Sequence, residues 1–318
     1  MKVLVTGGAG YIGSHVVLAL CEEGNNVVVL DDLSTGNREA VDKRALFIQG
    51  STLNQDDLSK GLNGVDAVVH LAAFKAAGES MIYPEKYSHN NITGTITLLN
   101  AMVNYSVNKF IFSSTAAVYG YPQYLPLDEN HPLEPINYYG FTKLEIERIL
   151  KWYGELKGLR FAALRYFNAA GYDPQGRITS LENNPANLIP TVMEVASNRR
   201  EKMEVFGDDF DTADGTGVRD YIHVTDLASA HVKAIEYLNE NANLTVNLAT
   251  GESHSVFDVI NLAKEISGQD IPFDIVDRRP GDPAELYAGT NQAFESLNWE
   301  AEYSDLKTLL ETTWKVYQ

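Results

Sequence analysis

Residues 2–13 read KVLVTGGAGYIG, and this stretch decides the fold of the chain. A short run of β-branched apolar residues leads directly into a turn with four glycines, and a helical pattern starts at the end of the turn. Glycines there let backbone N–H groups and the helix dipole approach a pyrophosphate, because a Cβ would block the approach. The stretch predicts the first βαβ unit of a dinucleotide-binding sheet.

A carboxylate follows at the place where such a sheet meets an adenosine ribose. The glycines fit the motif in two registers, Gly7, Gly10 and Gly13 or Gly8, Gly10 and Gly13. Asp31 ends the second predicted strand, 18 residues after the last of these glycines. A carboxylate there binds the ribose hydroxyls and repels a 2′-phosphate, which favours NAD over NADP. Asp32 follows directly and is the alternative acceptor.

Short apolar runs alternate with stretches of helical period through the first half of the chain, which is the pattern of repeated βαβ units. The runs are nearly continuous in apolar residues, as expected for strands buried on both faces. The sequence therefore predicts an α/β fold with a doubly wound parallel sheet of six strands. The predicted strands are residues 2–6, 27–31, 45–49, 67–72, 109–114 and 160–166, and the predicted helices are residues 12–23, 56–62, 92–105 and 138–156.

The C-terminal half is less regular. Glycine, proline and asparagine crowd residues 171–190, and a second loop covers residues 207–217. We expect a Rossmann domain over residues 1–168 and a smaller α/β substrate domain over residues 169–318, with a return to the first domain near residue 246. The helical patterns here cover residues 224–238, 256–266 and 304–316, and the strand patterns cover residues 203–206, 244–248 and 273–276.

Composition argues against several classes of function. The 318 residues contain 25 Lys and Arg against 43 Asp and Glu, a net charge of −18, so nucleic acid and anionic membranes are repelled over most of the surface. No apolar run is long enough to span a bilayer, and the seven histidines lack metal-ligand spacing, so neither a membrane span nor a metal is expected. The single cysteine, Cys21, and a first segment unlike a signal peptide predict a cytoplasmic location.

Tyr139 and Lys143 stand four residues apart at the start of a predicted helix, so their side chains share one face. A free tyrosine has a pKa of about 10, and a neighbouring ammonium favours its phenolate. The pair predicts a tyrosine base whose pKa the lysine lowers, with an oxidised nicotinamide as a second positive charge. Tyr138 is the competing choice, but the residue four positions after it is Thr142.

A hydroxyl-rich stretch, FSSTAAVYG over residues 112–120, follows the fifth predicted strand. Ligands bind at the carboxyl ends of strands in such sheets. A hydroxyl at this place is positioned to bridge the tyrosine and a substrate.

With these features in this order, the sequence resembles the extended short-chain dehydrogenase/reductase family, and within it the NAD-dependent epimerases and dehydratases. The resemblance covers essentially the whole chain, and its last two segments are more specific than the cofactor motif. The segments are VTGGAGYIGSH from Val5, LDDL from Leu30, LAAFKAAGES from Leu71, NYYGFTK from Asn137, LRYFN from Leu164, DGTGVRDYIHV from Asp214 and RRPGD from Arg278.

The resemblance implies a role for each matching residue. Tyr139 would be the base, Lys143 would hold the ribose and lower the tyrosine pKa, and Thr115 would be the active-site hydroxyl. The implied cofactor site consists of Gly7, Gly10, Tyr11, Ile12, Gly13, Asp31, Asp32, Ser51, Thr52, Leu71, Ala72, Ala73, Lys75, Asn90, Tyr139, Lys143, Tyr166 and Phe167, with Lys75 near the pyrophosphate. The implied substrate site consists of Thr115, Asn168, Asn187, Arg219, Arg279 and Asp282, most of which hold a UDP group. Two arginines suit a diphosphate because a guanidinium fork matches phosphate oxygens.

Two positions depart from the family pattern. Ser51 stands where the family usually has an acidic residue that meets the adenine amino group, and Ser51 or Thr52 is the substitute. Leu286 aligns, within one residue, with the position that limits the sugar C2 substituent. A leucine is intermediate in size between the tyrosine that excludes N-acetyl groups and the small residues that admit them, so this choice stays open.

The resemblance implies reversible inversion at C4 of UDP-galactose and UDP-glucose through a 4-keto sugar, with transient hydride transfer to bound NAD+, by a homodimer. Related dehydratases and decarboxylases carry an acid directly after the active-site hydroxyl, whereas Ala116 follows Thr115 here. An epimerase of UDP-N-acetylglucosamine differs only in pocket width. A non-catalytic dinucleotide sensor is the alternative from another class, and it gives no reason to keep Tyr139 with Lys143.

Overall fold

The computed structural model describes residues 1–182, 185–241, 243–279 and 281–318. Its strands are β1 (Lys2–Thr6), β2 (Asn26–Asp31), β3 (Leu46–Gln49), β4 (Ala67–His70), β5 (Lys109–Ser113), β6 (Arg160–Tyr166), β7 (Asn168–Ala170), β8 (Met203–Phe206), β9 (Val218–Arg219), β10 (Tyr221–His223), β11 (Leu244–Leu248), β12 (His254–Ser255), β13 (Phe273–Val276) and β14 (Glu285–Leu286). Its helices are α1 (Tyr11–Glu22), α2 (Gln55–Leu62), α3 (Ala77–Ser80), α4 (Pro84–Tyr87), α5 (Gly94–Asn104), α6 (Tyr138–Lys157), α7 (Leu188–Ala196), α8 (Val224–Glu240), α9 (Val256–Ser267), α10 (Asn291–Leu297) and α11 (Leu306–Tyr317).

A parallel sheet in the order β11-β6-β5-β4-β1-β2-β3 forms the centre of the molecule, with helices on both faces. One face packs on α1 and α8 through a core that includes Val17 and Leu227. The other face packs on α2, α5 and α6 through a core that includes Leu98 and Leu150. The central strands are nearly continuous in apolar residues because both of their faces are buried. The predicted doubly wound fold is confirmed.

The predicted number of strands is wrong by one. The seventh strand, β11, comes from the C-terminal half and pairs in parallel with β6, with Val246 opposite Leu164. The sequence predicted a strand over residues 244–248 and a return to the first domain near residue 246, but it did not specify β6 as the partner, which is far away along the chain. The division into domains at residues 168 and 169 stays a prediction.

A second, smaller core lies beyond the sheet. Helices α7, α9 and α11 pack around it, with Val192, Ile260 and Leu309 fully buried or nearly so. Residues 188–190 belong to α7, although the glycine- and proline-rich composition predicted a loop up to residue 190. The packing of the following apolar residues on α9 outweighs that local signal.

The carboxyl ends of β1, β4, β5 and β6 lie along one edge of the sheet, and the loops that follow them form the site described below. Strand β4 ends at His70, two residues earlier than predicted, and β5 ends at Ser113, one residue earlier. Among the described residues, no helix is long and apolar enough to span a membrane. The same part of the chain contains no cluster of three or more His, Cys, Asp or Glu side chains suited to a metal ion.

Candidate active site

The glycine turn after β1 is packed too tightly for side chains. Gly7 has a φ of +74°, and a Cβ on it would lie 2.6 Å from the backbone nitrogen of Ala72. A Cβ on Gly13 would lie 2.0 Å from the carbonyl oxygen of Gly7. The predicted turn, which lies at the start of α1, is therefore in direct contact with the loop that contains Leu71, Ala72 and Ala73.

Helix α1 begins at Tyr11 and presents its N-terminus at this edge of the sheet. Gly10 is its N-cap, and within the described chain no side chain caps the first turn. The backbone N–H groups of the first turn have no intrahelical acceptor, so those of Tyr11 and Ile12 are suited to an anion. The Tyr11 hydroxyl donates to the carbonyl of Gly171 and ties this turn to the C-terminal half.

Asp31 is the carboxylate that the glycine turn holds. Its two carboxylate oxygens accept backbone N–H bonds from Ala9 at 2.9 Å and from Leu33 at 2.8 Å. Burial raises the pKa of Asp31, and these two bonds act in the opposite direction. Asp32 is exposed and accepts only from the N–H of Ser34. Of the two carboxylates, Asp31 is thus the one fixed beside the turn.

Ser51 and Thr52 follow β3 close to Asp31. The N–H of Gly50 donates to the Asp31 carbonyl at 3.0 Å, and Ser51 comes next. The Ser51 hydroxyl accepts from the N–H of Leu53, and Thr52 is buried. Their contact with an adenine stays a prediction.

Lys75 has a protein partner, which the sequence did not predict. Its Nζ forms an ion pair with Glu182 at 2.5 Å, although its side chain is more than half exposed. The amide of Asn90 points at the side chain of its neighbour, donating to Asn91 Oδ1 at 3.1 Å. Whether Lys75 and Asn90 touch the cofactor stays a prediction.

Lys143 is a buried ammonium at the end of β5. The residue is only 3% exposed, and its Nζ donates to the carbonyl of Ser113 at 2.7 Å. The Nζ also lies 4.8 Å from the centroid of the Phe112 ring and 5.9 Å from that of Tyr139. The predicted pair at one face of α6 is thus found at the strand end where the hydroxyl stretch begins.

The two adjacent tyrosines at the start of α6 point to different places. Tyr139 is near enough to Thr115 for that hydroxyl to lower the pKa of the phenol, and the Tyr139 N–H donates to Ser80 Oγ at 3.0 Å. The hydroxyl of Tyr138 instead contacts Ser88 Oγ at 2.6 Å. Tyr139, Thr115 and Lys143 therefore form one cluster, and Tyr138 lies outside it.

The sequence predicted a lowered pKa for Tyr139. With only the protein's own groups around it, that prediction is wrong. Burial raises the pKa of Tyr139 to about 12, and the hydrogen bond with Thr115 offsets only part of this rise. Burial also lowers the pKa of Lys143 to about 7, against the opposing charge of Glu147. The physical reason is that both groups are desolvated, which disfavours the charged form of each.

Tyr166 and Phe167 lie beside the cluster of Tyr139, Thr115 and Lys143. The Tyr166 hydroxyl bonds Ser113 Oγ, and burial raises the pKa of Tyr166. Phe167 packs with Leu286 on an apolar group that includes Ala116 and Leu144, so it borders the hydroxyl stretch.

Two arginines lie together in the C-terminal half. The Arg219 guanidinium donates to the carbonyls of Val218 and Ala284 and lies 3.9 Å from Asp282. Burial lowers the pKa of Arg219, and the charge of Arg279 acts in the same direction, so the two positive charges are near each other. The Arg279 guanidinium stacks on the Phe206 ring at 3.6 Å.

Asn168 and Asn187 are placed differently from each other. Asn168 is half-buried and donates to the Asp220 carbonyl at 2.9 Å, next to Arg219. Asn187 is exposed at the start of α7. Both substrate roles stay predictions.

Comparisons with known proteins agree with this arrangement. The model of the NAD dependent epimerase/dehydratase family matches residues 3–249. The chain belongs to this family. Its relatives include the UDP-glucose 4-epimerase of Lacticaseibacillus casei, 43% identical over 100% of this chain and 97% of the relative, and that of Halalkalibacterium halodurans, 45% identical over 99% and 95%.

Solved structures of this family superpose over the whole chain. The UDP-glucose 4-epimerase of Brucella ovis in complex with NAD has a TM-score of 0.97 and 44% identity, and the alignment covers 99% of this chain and 98% of that one. The UDP-glucose 4-epimerase of Bifidobacterium longum in complex with NAD+ and UDP has a TM-score of 0.94 and 36% identity over 99% and 98%.

The sequence analysis did not single out Asn91 and Gly140, which hold backbone segments together around the cluster. Asn91, 1% exposed, accepts from the N–H of Phe74 and donates to the Phe74 carbonyl, both at 3.0 Å, and so holds the loop after β4. Gly140 lets α6 touch the hydroxyl stretch, since a Cβ there would lie 2.4 Å from the carbonyl oxygen of Ala117. The repeated Asn-Asn and the Tyr-Gly of the motif were the available signals.

Replacing Gly140 with alanine is expected to lower the free energy of unfolding by about 1–3 kcal/mol, because two backbone segments must separate. The measurement is the urea midpoint of unfolding. Gly78→Ala is the matched control, since nothing lies within 4 Å of its added Cβ. Equal midpoints for the two variants would contradict the close contact.

Proposed function

We propose that this chain catalyses the reversible C4 epimerisation of UDP-galactose and UDP-glucose with bound NAD+. The observation that carries the proposal is the cluster of Tyr139, Thr115 and Lys143 at the strand ends beside the glycine turn. Full-length relatives that are UDP-glucose 4-epimerases support it. A dinucleotide sensor would have no need of a tyrosine paired with a buried lysine at this place.

The residues present fit NAD. The tight glycine turn and the uncapped N-terminus of α1 would hold the pyrophosphate, and Asp31 would accept the ribose hydroxyls. Lys143 would hold the second ribose, with Tyr166 and Phe167 beside the nicotinamide. When bound, NAD+ supplies a hydride acceptor for C4 of the sugar and a positive charge beside the phenol.

Tyr139 is the proton acceptor in this proposal. Its phenolate takes the proton of the C4 hydroxyl, directly or through Thr115, and returns it at the end of the cycle. Since burial raises the pKa of Tyr139 to about 12 even with Thr115 opposing it, the phenolate needs positive charge next to it. The Lys143 ammonium is the chain's own source of that charge, 5.9 Å from the ring centroid.

Arg219 and Arg279 are proposed to hold the diphosphate of UDP, and Asn168, Asn187 and Asp282 are proposed to hold the UDP group with them. Two neighbouring guanidinium groups favour the binding of a diphosphate, and the Asp282 carboxylate at 3.9 Å from Arg219 offsets part of their positive charge. If UDP is bound tightly and the hexose makes few contacts, the 4-keto sugar can rotate and present its other face to the cofactor. Leu286, half-buried beside Phe167, leaves the size limit at C2 to experiment.

The wild-type protein with added NAD+ is expected to convert UDP-galactose to UDP-glucose. Tyr139→Phe should lower kcat by about 10²–10⁴, because the proton acceptor is lost, while NAD binding stays unchanged. Tyr138→Phe is the matched control and should keep kcat within about threefold, because it loses only one hydrogen bond. Product is followed by chromatography, with UDP-N-acetylgalactosamine as a second substrate.

Failure of the wild type to interconvert either pair of UDP-sugars would overturn the proposed function. Turnover of only the N-acetyl pair would replace the proposed substrate. Equal loss in both tyrosine variants would remove the assignment of Tyr139.

We further propose that the chain forms a homodimer through α5 and α6. Apolar side chains on these helices face solvent, notably Trp152 at 62% and Leu156 at 70% exposure, with Val103 and Phe141 on the same two helices. Exposed apolar groups of this size mark protein interfaces. A second copy is the occupant because a two-fold contact pairs each helix with its own equivalent.

Light scattering at micromolar concentration should give twice the chain mass of 35.2 kDa. Trp152→Glu combined with Leu156→Glu should give the mass of one chain, because the charges would be buried without partners. Leu46→Glu is the control, since Leu46 is 60% exposed but lies on the edge strand β3. A monomeric wild type would contradict the proposed dimer.

We also propose a cytoplasmic location. The support is that Cys21 is a single, buried thiol, which suits a reducing compartment. Cell fractionation tests it, and recovery outside the cytoplasm would contradict it.

A further inference from the structure

A buried ion pair lies directly behind the proposed catalytic residues. Glu147 on α6 and Arg165 on β6 are each 3% exposed in their side chains, and the Arg165 Nη2 lies 2.6 Å from Glu147 Oε2. The Arg165 Nε donates to Glu147 Oε1 at 3.0 Å, so the contact is bidentate. A bidentate geometry fixes both side chains as well as attracting them.

The same carboxylate is bound to strand β5. Ser114 Oγ donates to Glu147 Oε1 at 2.6 Å, and Ser113, the residue before it, accepts from Lys143 Nζ at 2.7 Å. Lys143 and Glu147 are four residues apart and therefore share a face of α6. Two consecutive residues of the strand end thus hold two consecutive turns of the helix that carries Tyr139.

Arg165 extends the contact to the hydroxyl stretch. Its Nη1 donates to the Tyr119 hydroxyl at 3.1 Å, and that hydroxyl donates to Asn247 Oδ1 at 2.6 Å. Tyr119 follows the short helical turn that Thr115 begins. The ion pair therefore joins the two segments on which the base and the hydroxyl are placed.

The other groups around Lys143 do not supply a compensating negative charge. His70 on β4 is neutral, because burial and the charge of Lys143 lower its pKa to about 3. Its ring is held between the hydroxyls of Thr6 and Thr95. Tyr139 on the same helix is a neutral phenol, and Arg165 on β6 is positive and bound to Glu147. The Glu147 carboxylate is the charge that opposes the effect of burial on Lys143.

We propose that Glu147 is a positioning residue for the epimerisation: its clamped carboxylate fixes α6 at the end of β5 and favours the ammonium form of Lys143. This inference rests on the proposed function for its kinetic part. Its electrostatic part concerns the protein alone and is measured without turnover.

Glu147→Gln keeps the size of the side chain and removes its charge. Without that charge the ammonium is less favoured, so Lys143 should lose its proton at a pH about one unit lower. The ¹³Cε NMR signal of Lys143, assigned with Lys143→Met, follows this titration. In the assay, kcat should fall about tenfold or more near pH 7.5, and its loss with rising pH should begin at a lower pH. The KM for UDP-galactose should change far less than kcat.

Arg165→Lys separates the positioning effect of the ion pair from the electrostatic effect of Glu147 on Lys143. It keeps the positive charge and loses the bidentate fork, so kcat should fall while Lys143 titrates near its wild-type pH. Ser114→Ala removes one hydrogen bond from Glu147 and leaves both charges, and it should lower kcat about threefold or more. Glu145→Gln is the matched control, because Glu145 is on the same helix and pairs with Arg148 at the surface.

The proposal would be overturned if Glu147→Gln folds and both its kcat and the pH at which its Lys143 titrates equal those of Glu145→Gln. If Glu147→Gln does not fold, because Arg165 is left buried and unpaired, then Ser114→Ala and Arg165→Lys decide. A loss of kcat in both with unchanged melting temperature supports the proposal, and full activity in both overturns it. An inactive wild type would overturn the proposed function instead, and the titration of Lys143 would still be measurable.

Discussion

A positive charge buried at the ends of the strands is the constraint on which this site depends. Removing an ammonium from water costs several kcal/mol, and burial lowers the pKa of Lys143 to about 7 even with the opposing charge of Glu147. The fold compensates with the Ser113 carbonyl, the face of the Phe112 ring and, one helical turn away, the Glu147 carboxylate. These contacts fix α6, and α6 in turn fixes Tyr139 opposite Thr115.

Positive charge is concentrated where anions are expected in a protein that is otherwise strongly acidic. The net charge of −18 repels anions from most of the surface. The N-terminus of α1 offers backbone N–H groups beside Gly7 and Gly13, and Arg219 and Arg279 place two guanidinium groups close together. These two groups of positive charge are the proposed sites for the cofactor and the sugar nucleotide.

The sequence predicted those features whose signals are local. Each of these features lies within one helix or strand or at its end: the glycine turn, Asp31 and the tyrosine–lysine pair. Their geometry therefore follows from strand and helix periodicity. Pairings between distant segments carry no such signal: the place of β11 beside β6, the Lys75 contact with Glu182 and the Glu147 contact with Arg165 arise only on folding. The pKa of Tyr139 was predicted in the wrong direction because desolvation depends on burial, which spacing does not reveal.

Proton NMR of the reaction in D₂O tests the central claim most directly, since it reports conversion and the fate of the C4 hydrogen together. With UDP-galactose as substrate, the account predicts the signals of UDP-glucose, with the hydrogen at C4 fully retained. Retention is expected because that hydrogen moves as a hydride between carbon atoms and does not exchange with solvent, whereas the proton on Tyr139 is bonded to oxygen and exchanges. Deuterium at C4 of the product, or no UDP-glucose at all, would contradict the account.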